Sequence, residues 1–161
     1  MKHITAIAVA ILLGLTSGGL LAAEPSATYG PELNLAIAKK VATAALAECQ
    51  RNKWNVAIAV VDNHGFLVYY EKLDDTQFAS PVIAIEKART AAMFRRMSGA
   101  MEEAVNKGRT SMLGLPLATP ITGGVPIRVD GKIVGAVGAS GVLSEQDEQC
   151  AKVGVAALNP A

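Results

Sequence analysis

The chain of 161 residues has the length of a single domain. Hydrophobic residues make up 51% of it but aromatic residues only 4%, so Val, Ile, Leu and Ala must build the core. Its 15 basic and 14 acidic residues nearly balance, which gives no electrostatic basis for binding nucleic acid or an anionic membrane surface.

Residues 1–23 have the organisation of a secretory signal peptide. Lys2 precedes an uncharged apolar run, Ile4–Leu15, and the small residues Ala22-Ala23 offer a cleavage site. The alternative is an uncleaved anchor, because the uncharged stretch is about as long as a thin membrane span. Gly, Ser and Thr in its second half favour cleavage. We therefore predict a periplasmic or secreted protein without stable membrane insertion after cleavage.

A helix is the first predicted element of the mature chain. Residues 24–30 form a short polar leader, and Pro31 suits a first helical turn, where its missing N–H costs nothing. Leu33, Ile37 and Val41 recur at helical spacing, which predicts a helix from Pro31 to about residue 51.

An antiparallel hairpin follows this helix. Residues 55–61 are rich in Val, Ile and Ala, which predicts a buried strand, and residues 66–72 predict its partner. Between them, Asp62-Asn63-His64-Gly65 is typical of a turn, since Asp and Asn bond back to the backbone and Gly accepts positive φ.

Two helices are predicted next. Ser80 as N-cap and Pro81 after it begin the first, which runs to about residue 97. Its inward residues are predicted to be Val82, Ile85, Ala88, Ala92 and Met93. The second runs from Ser98 or Gly99 to about residue 106, and residues 107–119 are irregular.

A second hairpin and a last helix complete the chain. Residues 126–129 and 132–140 predict strands joined by the two-residue turn Asp130-Gly131. Three glycines in or beside the second strand indicate close approach by another backbone or a ligand: Gly135, Gly138 and Gly141. Ser144 begins the last helix, with Asp147 as a capping-box-like partner.

The predicted order is helix, hairpin, two helices, hairpin, helix. Two hairpins form an antiparallel sheet, and amphipathic helices must cover it. The sequence therefore predicts one α+β domain over residues 31–161.

Two cysteines, Cys49 and Cys150, lie near the ends of the first and last predicted helices. If those helices pack together, a disulfide closing about 100 residues would stabilise the fold. The alternative is a pair of buried free thiols, and the residues leave both open. Cysteines this far apart do not form a metal-binding motif.

Chemistry-bearing residues are few. His64 is the one imidazole after the predicted cleavage site, and no Ser–His–Asp or Cys–His set stands out, so we expect a binding protein rather than an enzyme. His64 is either a turn residue or a ligand to a haem iron.

Two segments could bind an anionic group. Gly123 and Gly124 precede a predicted strand and would leave backbone N–H groups uncovered. Arg95 and Arg96 are either a solvated helix face or a clamp for a carboxylate or propionate.

Several motifs, in order and with compatible spacing, resemble the GlcG/HbpS family of haem-binding-like proteins, which is related to the C-terminal domain of PduO-type proteins. They are Val60-Val61-Asp62-Asn63-His64-Gly65, Glu86-Lys87-Ala88-Arg89-Thr90-Ala91-Ala92, Gly123-Gly124-Val125-Pro126-Ile127, Gly135-Ala136-Val137-Gly138-Ala139-Ser140-Gly141 and Gln146-Asp147-Glu148. The resemblance covers residues 31–158. It implies a profilin-like antiparallel sheet of about five strands with helices on both faces.

The resemblance also implies homo-oligomers and a haem or other tetrapyrrole ligand. The residues that fall on family motif positions, or beside them, are His64, Lys87, Arg89, Thr90, Gly123, Gly124 and Asp147, with His64 as the candidate iron ligand. Two other hypotheses remain. One is an enzyme or accessory factor that acts on a small organic acid through the Gly-rich loop and nearby arginines. The other is a structural partner protein.

Overall fold

A computed structural model of the protein describes residues 27–158, so the predicted signal peptide and the start of the leader lie outside the described residues. The elements follow the predicted order: α1 Leu35–Arg51, β1 Ala57–Asp62, β2 Leu67–Lys72, α2 Ser80–Met93, α3 Ser98–Asn106, a 3-10 turn Thr110–Gly114, β3 Gly124–Val129, β4 Lys132–Ser140 and α4 Ser144–Ala156. Within this part of the chain, no helix combines the length and the apolar character that a membrane span needs.

The strands form one antiparallel sheet in the order β2-β1-β4-β3. Because side chains alternate along a strand, β1 divides its residues between two cores. Ile58 and Val60 pack with α1 and α4, whereas Ala57, Ala59 and Val61 face α2. The prediction of an antiparallel sheet with helices on both faces is confirmed.

Among residues 27–158 the sheet has four strands rather than the predicted five. The segment before α1 contacts the sheet through an isolated parallel bridge between Tyr29 and Ile133, and through the N–H of Leu33, which donates to the carbonyl of Val134 at 3.0 Å. The bridge cannot extend in that register because Gly135, two residues along β4, is already paired with Asp62 of β1.

Helix α1 begins later than predicted. Its N-cap is Asn34, whose Oδ1 accepts a hydrogen bond from the N–H of Ile37 at 2.9 Å. An Asn side chain satisfies an otherwise unpaired donor of the first turn, and this local bond places the start at Leu35. Pro31 lies outside the helix.

Helix α2 differs from its prediction at both ends and in its buried face. Ser80 is its first helical residue and Ala79 its N-cap, and the helix ends at Met93 because Arg95 adopts a left-handed conformation with φ 56°. Val82, expected inward, is 65% exposed. The buried face is instead small and polar: Ser80, Ala84, Lys87, Ala88, Thr90, Ala91 and Ala92.

The backbone of α2 lies directly on the sheet. A Cβ atom added to Gly138 of β4 would be 2.1 Å from the carbonyl oxygen of Ala84, and one added to Gly124 of β3 would be 2.1 Å from that of Lys87. The close approach predicted from the glycines of β4 is therefore an approach of backbone, and glycine is required at both positions.

A disulfide joins the two helices on the other face. Cys49 of α1 and Cys150 of α4 are bonded, their Cα atoms are 5.7 Å apart, and both residues are fully buried. Of the two possibilities left open by the sequence, the structure contains the disulfide rather than two free thiols.

Removing this disulfide should destabilise the domain. The bond closes a loop with a sequence separation of 101 residues, and a loop of this size restricts the unfolded chain strongly. The double variant Cys49→Ala/Cys150→Ala should lose about 2–4 kcal/mol of unfolding free energy, measured by urea denaturation without reductant. Reductant should lower the unfolding free energy of the parent protein and leave that of the variant unchanged. Equal stabilities of parent and variant would contradict this expectation.

Candidate functional site

The turn between β1 and β2 presents two side chains outward. Asp62 Oδ1 accepts hydrogen bonds from the N–H groups of His64 at 2.8 Å and Phe66 at 2.9 Å, and Gly65 takes the positive φ of 86°. These bonds fix the turn, as the Asp and Gly chemistry predicted. The side chain of His64 is 63% exposed and Phe66 is 71% exposed.

A cavity of about 540 Å³ lies beside this turn. It is lined by Tyr29, Gly30, Asn63, His64, Phe66 and Met93. Its volume falls within the roughly 300–1,000 Å³ of ligand pockets, and one aromatic ring, one phenol, one thioether and one imidazole form most of its wall. The turn, the segment before α1 and the end of α2 each supply part of it.

The imidazole in this pocket is suited to binding a metal. His64 Nδ1 lies 3.4 Å from Glu32 Oε1, so this carboxylate can orient the imidazole. An imidazole beside apolar walls fits a donor to a haem iron. The described residues contain no cluster of three or more His, Cys, Asp or Glu side chains that could hold a bare metal ion.

A second group of predicted site residues lies in the interior. Lys87 of α2 and Asp147 of α4 form an ion pair, with Nζ 2.9 Å from Oδ2 and both side chains 2% exposed. Lys87 Nζ also donates to the carbonyl of Ala139 at 3.1 Å. Because α2 and α4 cover opposite faces of the sheet, this lysine connects the two helical layers.

Burial dominates the electrostatics of Asp147. Loss of solvent raises the pKa of this carboxyl above its ordinary value, and Lys87 and the backbone N–H groups of Val142 and Gly141 offset only part of that effect.

Asp147 is not the capping-box partner predicted from the sequence. Gln146 takes that position, since its Oε1 accepts from the N–H of Leu143 at 3.3 Å.

Gly123 and Gly124 make room for this ion pair. A Cβ atom on Gly123 would lie 2.8 Å from Lys87 Nζ, and the residue has a φ of 127°. The N–H of Gly124 donates to Ser98 Oγ at 2.8 Å. The predicted uncovered N–H is therefore not available at Gly124, and the two glycines serve packing around Lys87.

Arg89 and Thr90 point in different directions from α2. Arg89 pairs with Glu86 and donates through Nε to the carbonyl of Gly65 at 3.2 Å, so it supports the turn that carries His64. Thr90 is fully buried, and its Oγ1 accepts from the N–H of Thr119 at 2.8 Å. Thr90 anchors the segment before β3.

The structure therefore divides the predicted site residues into three groups. His64 and Arg89 lie at the turn, the Lys87 group lies in the interior, and Thr90 holds a loop. The organic-acid hypothesis relied on the Gly-rich loop beside Arg89, but that loop packs around Lys87 instead.

Several pocket residues were not predicted from the sequence. Tyr29, Asn63, Phe66 and Met93 were not proposed as ligand contacts, yet all four line the cavity. Tyr29 offered one signal, since an aromatic residue in a polar leader is unusual in a chain with 4% aromatic residues. Arg95 and Arg96 do not act as a pair, because Arg95 lies over the Tyr29 ring and Arg96 is exposed.

The fold and pocket define a small α+β domain built on an antiparallel sheet, with helices on both faces and a cavity beside the β1–β2 turn. Residues 33–156 match the family model described as "Haem degrading protein HbpS-like", and the chain belongs to this HbpS-like family. The chain is 45% identical to Protein GlcG of Escherichia coli over 108 residues, which is 67% of this chain and 81% of the relative.

Solved structures agree with this assignment. A variant of HbpS from Streptomyces reticuli superposes with a TM-score of 0.75 at 26% identity, covering 97% of this chain and 99% of that one. A PduOC–haem complex superposes with a TM-score of 0.72 at 25% identity, covering 80% and 96%. The resemblance to GlcG, HbpS and PduO-type proteins is confirmed.

The Lys87–Asp147 pair gives a prediction for stability. Asp147→Ala should lower the unfolding free energy by about 3–5 kcal/mol, because it leaves a buried ammonium group without its counter-ion. The double variant Lys87→Met/Asp147→Leu should recover most of this loss, since both desolvated charges are gone. Urea denaturation measures all three proteins. A double variant as unstable as Asp147→Ala would contradict the assignment.

Proposed function

We propose that the protein binds haem or a related tetrapyrrole in the pocket beside the β1–β2 turn. The observation that carries this proposal is an imidazole, His64, on the wall of a cavity of about 540 Å³ whose other large side chains are Tyr29, Phe66 and Met93. Flat, largely apolar ligands with a metal centre need this combination of apolar surface and one donor atom.

Each residue has a distinct task in this proposal. His64 would hold the iron, and Glu32 would orient the imidazole. Phe66 and Met93 would contact the macrocycle and exclude water. A bound haem would supply redox and oxygen chemistry.

The relatives support the same ligand. The family is described by haem degradation, and one structure that superposes on this chain is a haem complex. Haem handling or haem sensing is the role we propose for this chain, and a catalytic activity is not needed for it. The organic-acid hypothesis has no comparable support from the pocket geometry.

Export and self-association complete the proposal. The organisation of residues 1–23 and a disulfide between Cys49 and Cys150 both favour an oxidising compartment, the periplasm or the exterior. Large apolar side chains on the surface, such as Phe78 at 97% and Val82 at 65% exposure, favour a homo-oligomer.

A haemin titration of the protein from Glu24 onward tests the ligand. The parent should give a saturable, stoichiometric Soret band, and His64→Ala should lose it or shift it, because the iron loses its imidazole. Phe66→Ala should weaken binding about tenfold through lost apolar contact. Leu113→Ala, which truncates an exposed apolar side chain outside the pocket, should bind like the parent.

The outcomes separate the parts of this proposal. An unchanged band in His64→Ala would move the iron ligand to Met93 or another residue and keep the function. The absence of any band in the parent protein would overturn tetrapyrrole binding.

Export has its own test. The chain expressed in full in a Gram-negative host should appear in the periplasmic fraction with a mass that begins near Glu24, because the signal peptidase cuts after small residues. A protein that stays in the cytoplasm at full mass would contradict the proposal. The parallel expression of residues 24–161 alone, without the signal peptide, is the matched control.

A further inference from the structure

One wall of the pocket is a short segment, residues 27–30, here termed the strap. Its backbone bonds to the sheet at one point only. Gly30 N–H donates to the carbonyl of Ile133 at 2.8 Å, and Ile133 N–H donates to that of Thr28 at 2.9 Å. An isolated bridge has no neighbouring ladder bonds to make it cooperative, so this wall opens more easily than the turn or α2.

Two side chains from the other pocket walls also hold the strap. Asn63 Nδ2 donates to the carbonyl of Gly30 at 2.8 Å. Arg95 Nη1 donates to the carbonyl of Ala27 at 2.9 Å, and its guanidinium lies 5.5 Å from the centre of the Tyr29 ring. The strap is thus bound at both of its ends by side chains from elements that line the pocket.

Both residues are unfavourable within their own elements. Asn63 is 8% exposed and its Oδ1 has no hydrogen-bond partner among residues 27–158, which is costly for a buried acceptor. Arg95 has a φ of 56° just after α2, where helices usually carry Gly. Their contacts with the strap account for the presence of an amide and a guanidinium at these two positions.

We propose that the strap is the movable wall of the pocket and that Asn63 and Arg95 are positioning residues that latch it. When the strap lifts, Tyr29 and Gly30 leave the cavity, and the hydrogen bond from Tyr29 Oη to the carbonyl of Met93, 2.8 Å long, is broken. A ligand then enters or leaves over Met93. The identity of that ligand rests on the proposed function, whereas the latch does not.

The variant Arg95→Gly tests the latch without damaging the helix end, because Gly accepts the left-handed conformation. Hydrogen exchange at the amides of Gly30 and Ile133 should accelerate about tenfold, as expected for the loss of one strong contact. The melting temperature should not fall. Arg96→Ala, a change at the exposed neighbour, is the matched control and should leave both amides unchanged.

A second variant covers the other end of the strap. Asn63→Leu removes the donor to Gly30 and the unpartnered oxygen together, so the domain should stay folded while the same two amides exchange faster. Unchanged exchange in both Arg95→Gly and Asn63→Leu would overturn the latch, whether or not haemin binds.

Two measurements test the movable wall. Oxidation of Met93 by hydrogen peroxide, followed by mass spectrometry, should accelerate in Arg95→Gly, because the strap covers this residue. Transfer of haemin to excess apomyoglobin should also accelerate about tenfold at an unchanged Soret maximum, since His64 is retained. Faster amide exchange with unchanged Met93 oxidation would overturn the proposal that the strap is the movable wall of the pocket. If haemin never binds, only the proposed function is overturned. The rate of Met93 oxidation would still show whether the strap is a movable wall.

Discussion

The close contact between α2 and the sheet is the constraint on which the rest of the structure depends. The strands beneath α2 offer only small side chains, such as Ala57 and Ala59, and glycine where the helix backbone touches them, at Gly124 and Gly138. A helix this close leaves no space for a long side chain to fold back. Lys87 therefore extends past the end of β3 to reach Asp147, and an ionic contact fixes the position of α4 relative to α2.

The same helix positions the pocket at its other end. As α2 is fixed on the sheet by its alanines, its last turns carry Arg89 to the β1–β2 turn and Met93 to the cavity. The buried Lys87–Asp147 ion pair and the pocket therefore both depend on the close packing of α2 on the sheet. The motif that contains Lys87, Arg89 and Thr90 is rich in polar and charged side chains, but these side chains hold the scaffold and none of the three lines the pocket.

The parts of the fold that depend on local chemistry were predictable. Asp130-Gly131 and the Asp62–Gly65 turn located both hairpins, and their partner strands followed. The start of α1 was not, because Asn34 as a cap competes with Pro31 as a first-turn residue. The inward face of α2 was predicted only in part: Ala88 and Ala92 are buried as expected, whereas Val82 is exposed and Lys87 is buried. Alanines give weak periodicity, and a lysine ordinarily predicts solvent exposure.

The pocket could be predicted only in part. His64 was identified as the one available imidazole, but its neighbours come from distant parts of the chain. Tyr29 and Met93 are 64 residues apart and share no local pattern. This contact depends on where α2 ends and on which residues of β4 remain free to bond to Tyr29. Both depend on tertiary packing rather than on the spacing of residues in the sequence.

The position of Cys150 has a consequence for the newly made protein. Its partner, Cys49, is synthesised 101 residues earlier, when most of the sheet does not yet exist. Throughout that interval the first thiol has no native partner, and any oxidant that reaches it can form only a mixed or intermolecular bond. The covalent ring can close only after Cys150 has been synthesised, and by then all four strands of the described sheet have been made.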